Sequence, residues 1–255
     1  MKIAYAGFDL FYPMLECLYD NGCEIVKIFT CNVDNDTEFN TEVTDFAQKH
    51  DIAITYDRIT ENDIIALKND GVDALFCAAY YYRIPVLPDF KMINVHPSLL
   101  PMGRGAWPMP LYILNSYEKA GVTFHKMAEN FDDGDIIMQK SFELCDSDNL
   151  STFMKKAYEL LPSMVKDLLS DFSYHYENAK PQTDGEYWKA PDEDQYTIDE
   201  DTDFETADRI LRAFYGFYVT YIRNDEKIKL KNAVAVRGDN KYEEFKVNGG
   251  YIMLM

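Results

Sequence analysis

The run Ala74-Leu75-Phe76-Cys77-Ala78-Ala79-Tyr80 decides the fold. It is continuously apolar over the length of one strand, which is typical of a central parallel strand covered on both faces. Shorter strand patterns precede it and alternate with helical patterns. This alternation predicts an α/β fold with a parallel, doubly wound sheet flanked by helices. The earlier strands are expected at residues 2–6, 24–30 and 52–55, and the helices at 9–20, before His50 and from Thr60 to about Lys68.

The bulk composition limits the classes of function. The 255 residues allow one large domain, or one domain with a small appendage. The net charge of −19 disfavours nucleic acid as a partner, because a protein that grips a polyanion depends on Lys and Arg. No apolar run approaches the roughly 20 residues that span a bilayer. Residues 1–7 turn polar too quickly for a signal peptide.

Cysteine usage points to a reducing compartment. The five cysteines are odd in number and form no Cys-x-x-Cys pair, so neither a disulfide framework nor a structural zinc site is expected. We expect no metal and a cytoplasmic location.

A strand that follows the central run ends in a loop with two polar side chains. Met92-Ile93 leads into Asn94-Val95-His96-Pro97-Ser98-Leu99-Leu100-Pro101, and Gly103-Arg104-Gly105 comes next. Residues two apart on a strand point the same way, so Asn94 and His96 are expected to face one site. An amide donor beside a titratable base suits chemistry through a tetrahedral oxyanion. The alternative is that Asn94 caps a turn and His96 is a satisfied, partly buried histidine.

The first turn of the sheet argues against a dinucleotide. Ala6-Gly7-Phe8-Asp9-Leu10 lacks the Gly-x-Gly-x-x-Gly fingerprint that cradles a pyrophosphate. In doubly wound sheets, ligands bind beyond the carboxyl ends of the strands. The loop at 94–101 is expected to lie at that edge.

An acidic turn supplies a partner for His96. Strand patterns at 121–127 and 136–142 enclose Asn130-Phe131-Asp132-Asp133-Gly134-Asp135 and predict a hairpin. A carboxylate next to an imidazole fixes its tautomer and raises its pKa. Asp132, Asp133 and Asp135 compete for this role, and the alternative is that all three lie on an exposed turn.

The composition of the C-terminal part of the chain predicts a separate region. A helix is expected over 107–115, and another over 150–172 that Pro162 kinks or divides. From Asp184 to Glu205, Lys189 is the one basic residue among ten carboxylates. We therefore predict a first domain at 1–180, an acidic linker at 181–205 and a small C-terminal subdomain of α+β or β-rich structure at 206–255. Its expected elements are a helix at 206–214 and strands at 218–222, 228–230, 234–236 and 245–247.

Three blocks in order resemble one family. They are Asn94-Val95-His96-Pro97-Ser98-Leu99-Leu100-Pro101-x-x-Arg104-Gly105, then Gly121-Val122-Thr123, then Phe131-Asp132-Asp133-Gly134-Asp135-Ile136-Ile137. Together they closely resemble the folate-dependent formyltransferases, a family that includes methionyl-tRNA formyltransferase, nucleotide-sugar N-formyltransferases, glycinamide ribonucleotide formyltransferase and 10-formyltetrahydrofolate hydrolases. The resemblance is strongest over residues 74–145 and extends over the first 180.

The resemblance implies a fold, a formyl donor and a catalytic set. The fold is Rossmann-like, the catalytic domain is residues 1–180, and the donor is 10-formyltetrahydrofolate. The family's Asn-His-Asp set maps onto Asn94, His96 and Asp132, and the position of the aspartate in the family's Leu-Asp-x-Gly block selects Asp132 over Asp133. Asn94 would donate to the oxyanion, and His96 would handle the proton while Asp132 orients it.

The same mapping implies a folate slot and an acceptor side. The slot would be lined largely by main-chain groups, with aromatic side chains stacking on the pterin, although the tyrosines at 80–82 would alternatively be a cluster at the sheet end. The acceptor side would include Arg104, Gly105 and Trp107. The expected slot residues are Tyr81, Tyr82, Arg83, Ser98, Leu99, Leu100, Pro101, Ala128, Glu129, Asn130 and Phe131.

Charge and length favour one acceptor. An amino sugar on a nucleotide carries a small, localised negative charge, whereas tRNA is a polyanion that an acidic chain binds poorly. Methionyl-tRNA formyl transfer is the main alternative. A formate-releasing hydrolase would be expected to carry an N-terminal regulatory domain, and a purine-pathway enzyme to end near residue 200. An inert folate-binding module is disfavoured by the intact Asn94, His96 and Asp132, and a homodimer is compatible with the sequence.

Overall fold

A seven-stranded sheet forms the centre of the computed structural model, which describes residues 1–238 and 244–255. Helices connect most of its strands, as the alternating pattern predicts. The strands are β1 (Lys2–Gly7), β2 (Glu24–Phe29), β3 (Ala53–Thr55), β4 (Ala74–Ala78), β5 (Lys91–His96), β6 (Lys119–Lys126) and β7 (Ile136–Glu143). The helices among and after them are α1 (Tyr12–Asp20, preceded by a 3₁₀ turn at Asp9–Phe11), α2 (Thr41–Lys49), α3 (Glu61–Asn69), α4 (Pro108–Leu114), α5 (Leu150–Ser170) and α6 (Phe172–Glu177).

The strand order is β3-β2-β1-β4-β5-β6-β7. The pairs from β3 to β5 are parallel, which confirms the predicted doubly wound sheet. The next strand, β6, runs antiparallel to β5, and this antiparallel side was not predicted. Strands β2 and β3 are added on one side of β1, and β4 and β5 on its other side. At such a change of side the carboxyl edge of the sheet is open to a ligand.

Burial of β4 explains its apolar sequence. All five of its residues are buried, because the strand lies in the middle of the sheet with helices on both faces. One face packs in a cluster that contains Ala4, Ile64, Leu75 and Met92. The polar residues that follow β4 and β5 are therefore presented at the edge of a rigid, buried sheet.

Local signals set several helix ends. The helix predicted from Thr60 begins with a capping box, in which the Thr60 and Asp63 side chains each accept from the backbone N–H of the other residue. Pro162 lies inside α5 without dividing it, and a new helix begins only after Asp171. Within residues 1–238 and 244–255, none of the helices combines the length and the apolar composition that crossing a bilayer requires.

The chain divides into two compact units whose boundaries differ from the predicted ones. The first contains residues 1–104, 121–141 and 157–187, and the second contains 105–120, 142–156 and 188–255. The predicted division placed residues 1–180 together and made 181–205 a linker. The predicted boundaries relied on the acidic composition of 184–205, which does not show which core a segment joins. Apolar residues decide this: Ile113 and Ile198 lie in one buried cluster with Phe214.

The second unit contains two three-stranded sheets and the helix α7 (Phe204–Ala213). The sheets have the orders β10-β9-β8 and β11-β13-β12. The short strand β8 lies within the predicted linker, and β13 was not predicted. The strands are β8 (Thr197–Asp199, preceded by a 3₁₀ turn at Glu193–Tyr196), β9 (Tyr218–Arg223), β10 (Glu226–Lys231), β11 (Ala233–Arg237), β12 (Phe245–Val247) and β13 (Gly250–Leu254).

A buried carboxylate organises the start of α5. The Asp148 side chain accepts hydrogen bonds from Lys156 Nζ at 2.5 Å, from the Cys145 amide at 2.8 Å and from Thr152 Oγ1 at 2.9 Å. Burial by itself raises the pKa of this carboxyl group, but the hydrogen bonds outweigh it and lower the pKa from 3.8 to about 2. The charged form of Asp148 therefore stabilises the folded chain.

We expect Asp148→Asn to lower the free energy of unfolding by about 2 kcal/mol at pH 7, the equivalent of the lowered pKa. Because the folded pKa lies below the unfolded one, this contribution is present above pH 3.8 and is lost as the pH falls towards 2. Urea unfolding at several pH values measures it. Asp167→Asn, which removes an exposed carboxylate paired with Lys140, serves as the control and should have a much smaller effect. An equal loss for both variants would contradict the prediction.

Candidate active site

Neighbouring strands bring four polar side chains to one place. Asn94 and His96 come from the end of β5, His125 comes from β6, and Asp132 comes from the turn between β6 and β7. The antiparallel register pairs Asn94 with His125, and residues that are directly opposite place their side chains side by side. The sheet therefore adds a second histidine that the sequence analysis did not identify.

One oxygen of Asp132 is the centre of this cluster. Asn94 Nδ2 lies 3.2 Å from Asp132 Oδ1 and 3.0 Å from His125 Nε2. His96 Nδ1 and His125 Nε2 each lie 3.5 Å from the same Oδ1 atom. The Asp132 side chain is only 10% exposed. The structure thus brings together the three residues predicted as catalytic.

The turn that carries Asp132 has a demanding backbone. Asp132 adopts a φ of 53°, in the left-handed region that Asp tolerates better than most side chains. At Gly134, a Cβ atom would overlap the carbonyl oxygen of Lys126. The Phe131–Asp135 motif therefore combines the carboxylate predicted as catalytic with a glycine that the close approach of two backbone segments requires.

Hydrogen bonding assigns the tautomer of His125. Its Nδ1 lies 2.8 Å from the carbonyl oxygen of Lys126, and a carbonyl can only accept. The proton of neutral His125 is therefore on Nδ1, which leaves Nε2 to accept from the Asn94 amide. His125 and Asp132 together hold the two N–H bonds of Asn94 in a defined direction.

The tautomer of His96 is set by the loop rather than by Asp132. His96 Nε2 lies 2.7 Å from the carbonyl oxygen of Gly103, so Nε2 carries the proton in neutral His96. Its Nδ1 is then unprotonated and faces Asp132. A proton taken up at Nδ1 would be held beside the carboxylate, so His96 is arranged as a base at that atom.

Burial determines the direction of the His96 pKa. Desolvation lowers the pKa below its ordinary value of 6.5, while Asp132 and the Gly103 carbonyl raise it and His125 lowers it further. The expectation that a neighbouring carboxylate raises the pKa is correct for that one interaction but wrong for the net direction. The buried imidazole is neutral at pH 7, as a proton acceptor must be.

Two exposed loops lie beside the cluster. The first loop carries the tyrosines that follow β4, and the second consists of residues 128–131. A hydrogen bond from Arg83 Nη2 to the Glu129 carbonyl, at 2.6 Å, joins the two loops. Tyr81 is 48% exposed and packs on Phe8, while Phe131 is 61% exposed. Arg58 stacks on the ring of Tyr82 at 4.3 Å. Flat, solvent-accessible rings on both loops fit the binding of a planar heterocycle.

The segment from Ser98 to Pro101 has a different place from the two loops. Ser98 and Leu100 are buried, and their carbonyl groups accept hydrogen bonds from Thr123 Oγ1 at 2.6 Å and Gln139 Nε2 at 2.6 Å. The Leu100-Pro101 peptide bond is cis. These two carbonyls bond side chains of β6 and β7, so the segment is anchored to the sheet.

The three residues predicted on the acceptor side are divided between the two compact units, with Arg104 in the first. The Arg104 guanidinium contacts Asp133 Oδ1 at 2.8 Å and Gln182 Oε1 at 2.9 and 3.0 Å. Gly105 and Trp107 belong to the second compact unit, where Trp107 packs on Phe217 with 4.8 Å between ring centroids. In the described part of the chain, no group of three or more acidic, His or Cys side chains is arranged to hold a metal ion.

The sequence analysis missed His125 and Gln182. The hairpin pattern contained His125, but only the pairing register places it opposite Asn94. Gln182 lay in a stretch interpreted as a linker, and no local signal marks its contacts.

Comparison with known proteins identifies the family. Residues 30–167 match the family model described as formyl transferase. A methionyl-tRNA formyltransferase of Ehrlichia ruminantium is 29% identical over 208 residues, covering 78% of this chain and 67% of the relative. One from Fusobacterium nucleatum is 32% identical, covering 66% of this chain and 56% of the relative. The chain belongs to the formyl transferase family, and it is an enzyme of the N-formyltransferase type that takes its formyl group from 10-formyltetrahydrofolate.

Solved structures share the fold along the chain. A 4-N formyltransferase from Francisella tularensis is 21% identical with a TM-score of 0.71, covering 90% of this chain and 96% of that one. An N-formyltransferase from Helicobacter canadensis, in complex with folinic acid and dTDP-3-aminofucose, is 19% identical with a TM-score of 0.69, covering 100% and 98%. HypX from Aquifex aeolicus with tetrahydrofolic acid has a TM-score of 0.72 at 17% identity, covering 98% of this chain and 40% of that one.

The cluster predicts a specific pH dependence. The prediction that neutral His96 is the base implies that kcat/KM falls in acid with an apparent pKa below 6.5, and that Asp132→Asn moves this acid limb to still lower pH. The reason is that the carboxylate raises the pKa of His96. Rates measured from pH 4.5 to 8 test this.

Asp135→Asn is the matched control for this prediction. It alters a carboxylate of the same turn that pairs with Lys126, and it should leave the limb in place. A limb that moves to higher pH in Asp132→Asn would contradict the assignment.

Proposed function

We propose that this protein formylates the primary amine of an amino sugar carried on a nucleotide, with Asn94, His96 and Asp132 as the catalytic residues. The observation that carries the proposal is their convergence on Asp132 Oδ1 at the end of β5. An amide donor, an unprotonated imidazole nitrogen and a carboxylate are the groups that formyl transfer to an amine requires.

Each residue has a defined part in the reaction. The acceptor nitrogen forms a bond to the formyl carbon, and the bond from that carbon to N10 of the folate breaks. Asn94 exchanges one of its two internal hydrogen bonds for the oxyanion that forms between these events. His96 takes the proton lost by the amine at Nδ1, Asp132 stabilises the resulting imidazolium, and a proton is returned to N10.

The two exposed loops provide the donor site in this proposal. Tyr81 and Phe131 offer exposed rings to a pterin, and Arg83 keeps the two loops together through Glu129. The main-chain groups at residues 128–131 serve as its polar contacts. The segment from Ser98 to Pro101 acts by supporting the slot, because its Ser98 and Leu100 carbonyls are already occupied.

Charge supports a small acceptor over tRNA. The chain has 44 acidic and 25 basic residues, and the basic side chains at the catalytic turn are paired: Arg104 with Asp133 and Lys126 with Asp135. A polyanion binds through a series of unpaired cations. A nucleotide sugar needs few of them, and the Helicobacter canadensis structure named above holds dTDP-3-aminofucose on a chain matched over 98% of its length.

Methionyl-tRNA is the second candidate acceptor. The curated relatives at 29 to 32% identity carry this name, and sequence identity is higher with them than with the sugar enzymes of known structure. These relatives are matched over 67% and 56% of their own length. A direct comparison of the formylation rates of the two acceptors therefore decides between them.

The Asn94 role predicts a rate effect. Asn94→Ala should lower kcat by about 10²–10³-fold, the usual consequence of removing one oxyanion donor, while the KM for the folate donor stays within a few-fold. Release of tetrahydrofolate in the presence of an amine acceptor measures both constants. Asn178→Ala, which removes an exposed amide that bonds only Tyr174 O at the end of α6 among its described contacts, is the control. Equal activity of both variants would exclude Asn94 from the catalytic set.

The acceptor assay compares dTDP- and UDP-linked amino sugars with initiator methionyl-tRNA, each with 10-formyltetrahydrofolate. We expect formylation of at least one nucleotide sugar with a kcat/KM well above that for the tRNA. Faster formylation of the tRNA would replace the sugar assignment and keep formyl transfer. Formate release that needs no amine would indicate a hydrolase, and donor binding without turnover would contradict catalysis altogether.

A further inference from the structure

Gln182 makes an unusual set of contacts with the catalytic turn. Its Nε2 donates to the carbonyl oxygens of Asp132 at 2.8 Å and Gly134 at 2.7 Å. Its Oε1 accepts from Arg104 Nε at 3.0 Å and Arg104 Nη2 at 2.9 Å. A side-chain amide has two donor hydrogens and an acceptor oxygen with two lone pairs, so Gln182 is saturated by these four bonds.

Arg104 extends this network to Asp133, which lies between Asp132 and Gly134 in the turn. Its Nη1 contacts Asp133 Oδ1 at 2.8 Å, and its Nη2 also donates to the Thr183 carbonyl at 3.2 Å. The Arg104 backbone N–H donates to Glu186 O at 3.1 Å. Three consecutive residues, 132 to 134, are therefore held from one side by a Gln182–Arg104 brace, and every one of these residues lies in the first compact unit.

The turn needs such support. Asp132 adopts a φ of 53°, a left-handed conformation that is unfavourable for an ordinary L-residue relative to the right-handed region. Its carboxylate must nevertheless remain within reach of both Asn94 and His96. In catalytic clusters, a displacement of about 1 Å can reduce the rate by roughly 10²-fold, so a brace on the Asp132 backbone controls the chemistry at its side chain.

We propose that Gln182, joined to Arg104, is a positioning residue that holds Asp132 against His96. This inference rests on the proposed function, because it assigns a purpose to the geometry of the proposed catalytic carboxylate. Gln182 acts through the Asp132 backbone and contacts neither of the other two catalytic side chains in the described hydrogen bonds. It also gives Arg104 a role as support for the turn, in place of the expected contact with the acceptor.

The test is a double-mutant cycle read out by the titration of His96. NMR of the full chain with labelled histidine gives the pKa of His96 in the wild type, Gln182→Leu, Asp132→Asn and the double variant. We expect Gln182→Leu to lower the pKa of His96 measurably, since a withdrawn carboxylate no longer favours the imidazolium. In the Asp132→Asn background the same substitution should have no effect. An unchanged pKa in Gln182→Leu, or an equal shift in both backgrounds, would overturn the proposal.

Kinetics and stability complete the test. Gln182→Leu should lower kcat by about 10- to 100-fold, leave the donor KM within a few-fold and move the acid limb of kcat/KM to lower pH. Gln48→Leu, at an exposed position of α2, is the matched control and should change none of these. A thermal unfolding scan confirms that each variant is folded at the assay temperature.

The two readouts separate the proposals. A wild type without formyl transfer would contradict the proposed function, while the His96 titration would still report whether Gln182 holds Asp132. An active wild type whose His96 pKa is insensitive to Gln182→Leu would contradict the brace alone.

Discussion

The site depends on the hydrogen bonding and electrostatics around a single oxygen, Oδ1 of Asp132. Asn94 donates to it, and two imidazole nitrogens lie 3.5 Å away. A carboxylate that is 10% exposed must be paired to remain charged. The Asn94 amide provides that pairing while both rings are neutral, and His96 adds to it once its Nδ1 is protonated, so one buried charge organises both the amide and the imidazole.

Backbone architecture brings this charge into place. The antiparallel pairing of β5 with β6 puts His125 opposite Asn94, and the following turn folds back to deliver Asp132. Gly134 allows this turn to approach Lys126 closely, while the carbonyl of Gly103 holds His96 from the other side. The parallel part of the sheet provides the rigid base, and the antiparallel pairing of β5 with β6 assembles the cluster.

The same features bear on the small acceptor that we propose for this acidic enzyme. Several carboxylates form bonds within the protein. Asp63 caps α3, Asp148 organises the start of α5, and Asp133 pairs with Arg104 in the turn that carries Asp132. Arg104 and Lys126 beside the turn are paired with Asp133 and Asp135. In the proposed function, recognition of a nucleotide-linked amino sugar depends on shape, on aromatic surfaces and on a few charges.

The sequence by itself determined most of the first unit. Apolar runs identified the strands up to β5, Thr60 and Asp63 identified the start of α3, and the spaced motifs identified the family and the set Asn94, His96 and Asp132. These features are local, because strand length, caps and turn glycines depend on residues close together in the chain. The boundaries at 180 and 205 relied on composition, which does not report which core a buried side chain joins.

Only the tertiary structure decided the parts that depend on pairing between distant segments. It placed His125 beside Asn94 through strand register, brought Gln182 to a turn 50 residues earlier in the chain, and assigned the tautomer of His96 through Gly103. It also set the direction of the His96 pKa, since desolvation exceeds the effect of Asp132 once the ring is buried. Motifs show which groups are present, whereas their contacts and burial, which set their chemistry, arise from packing.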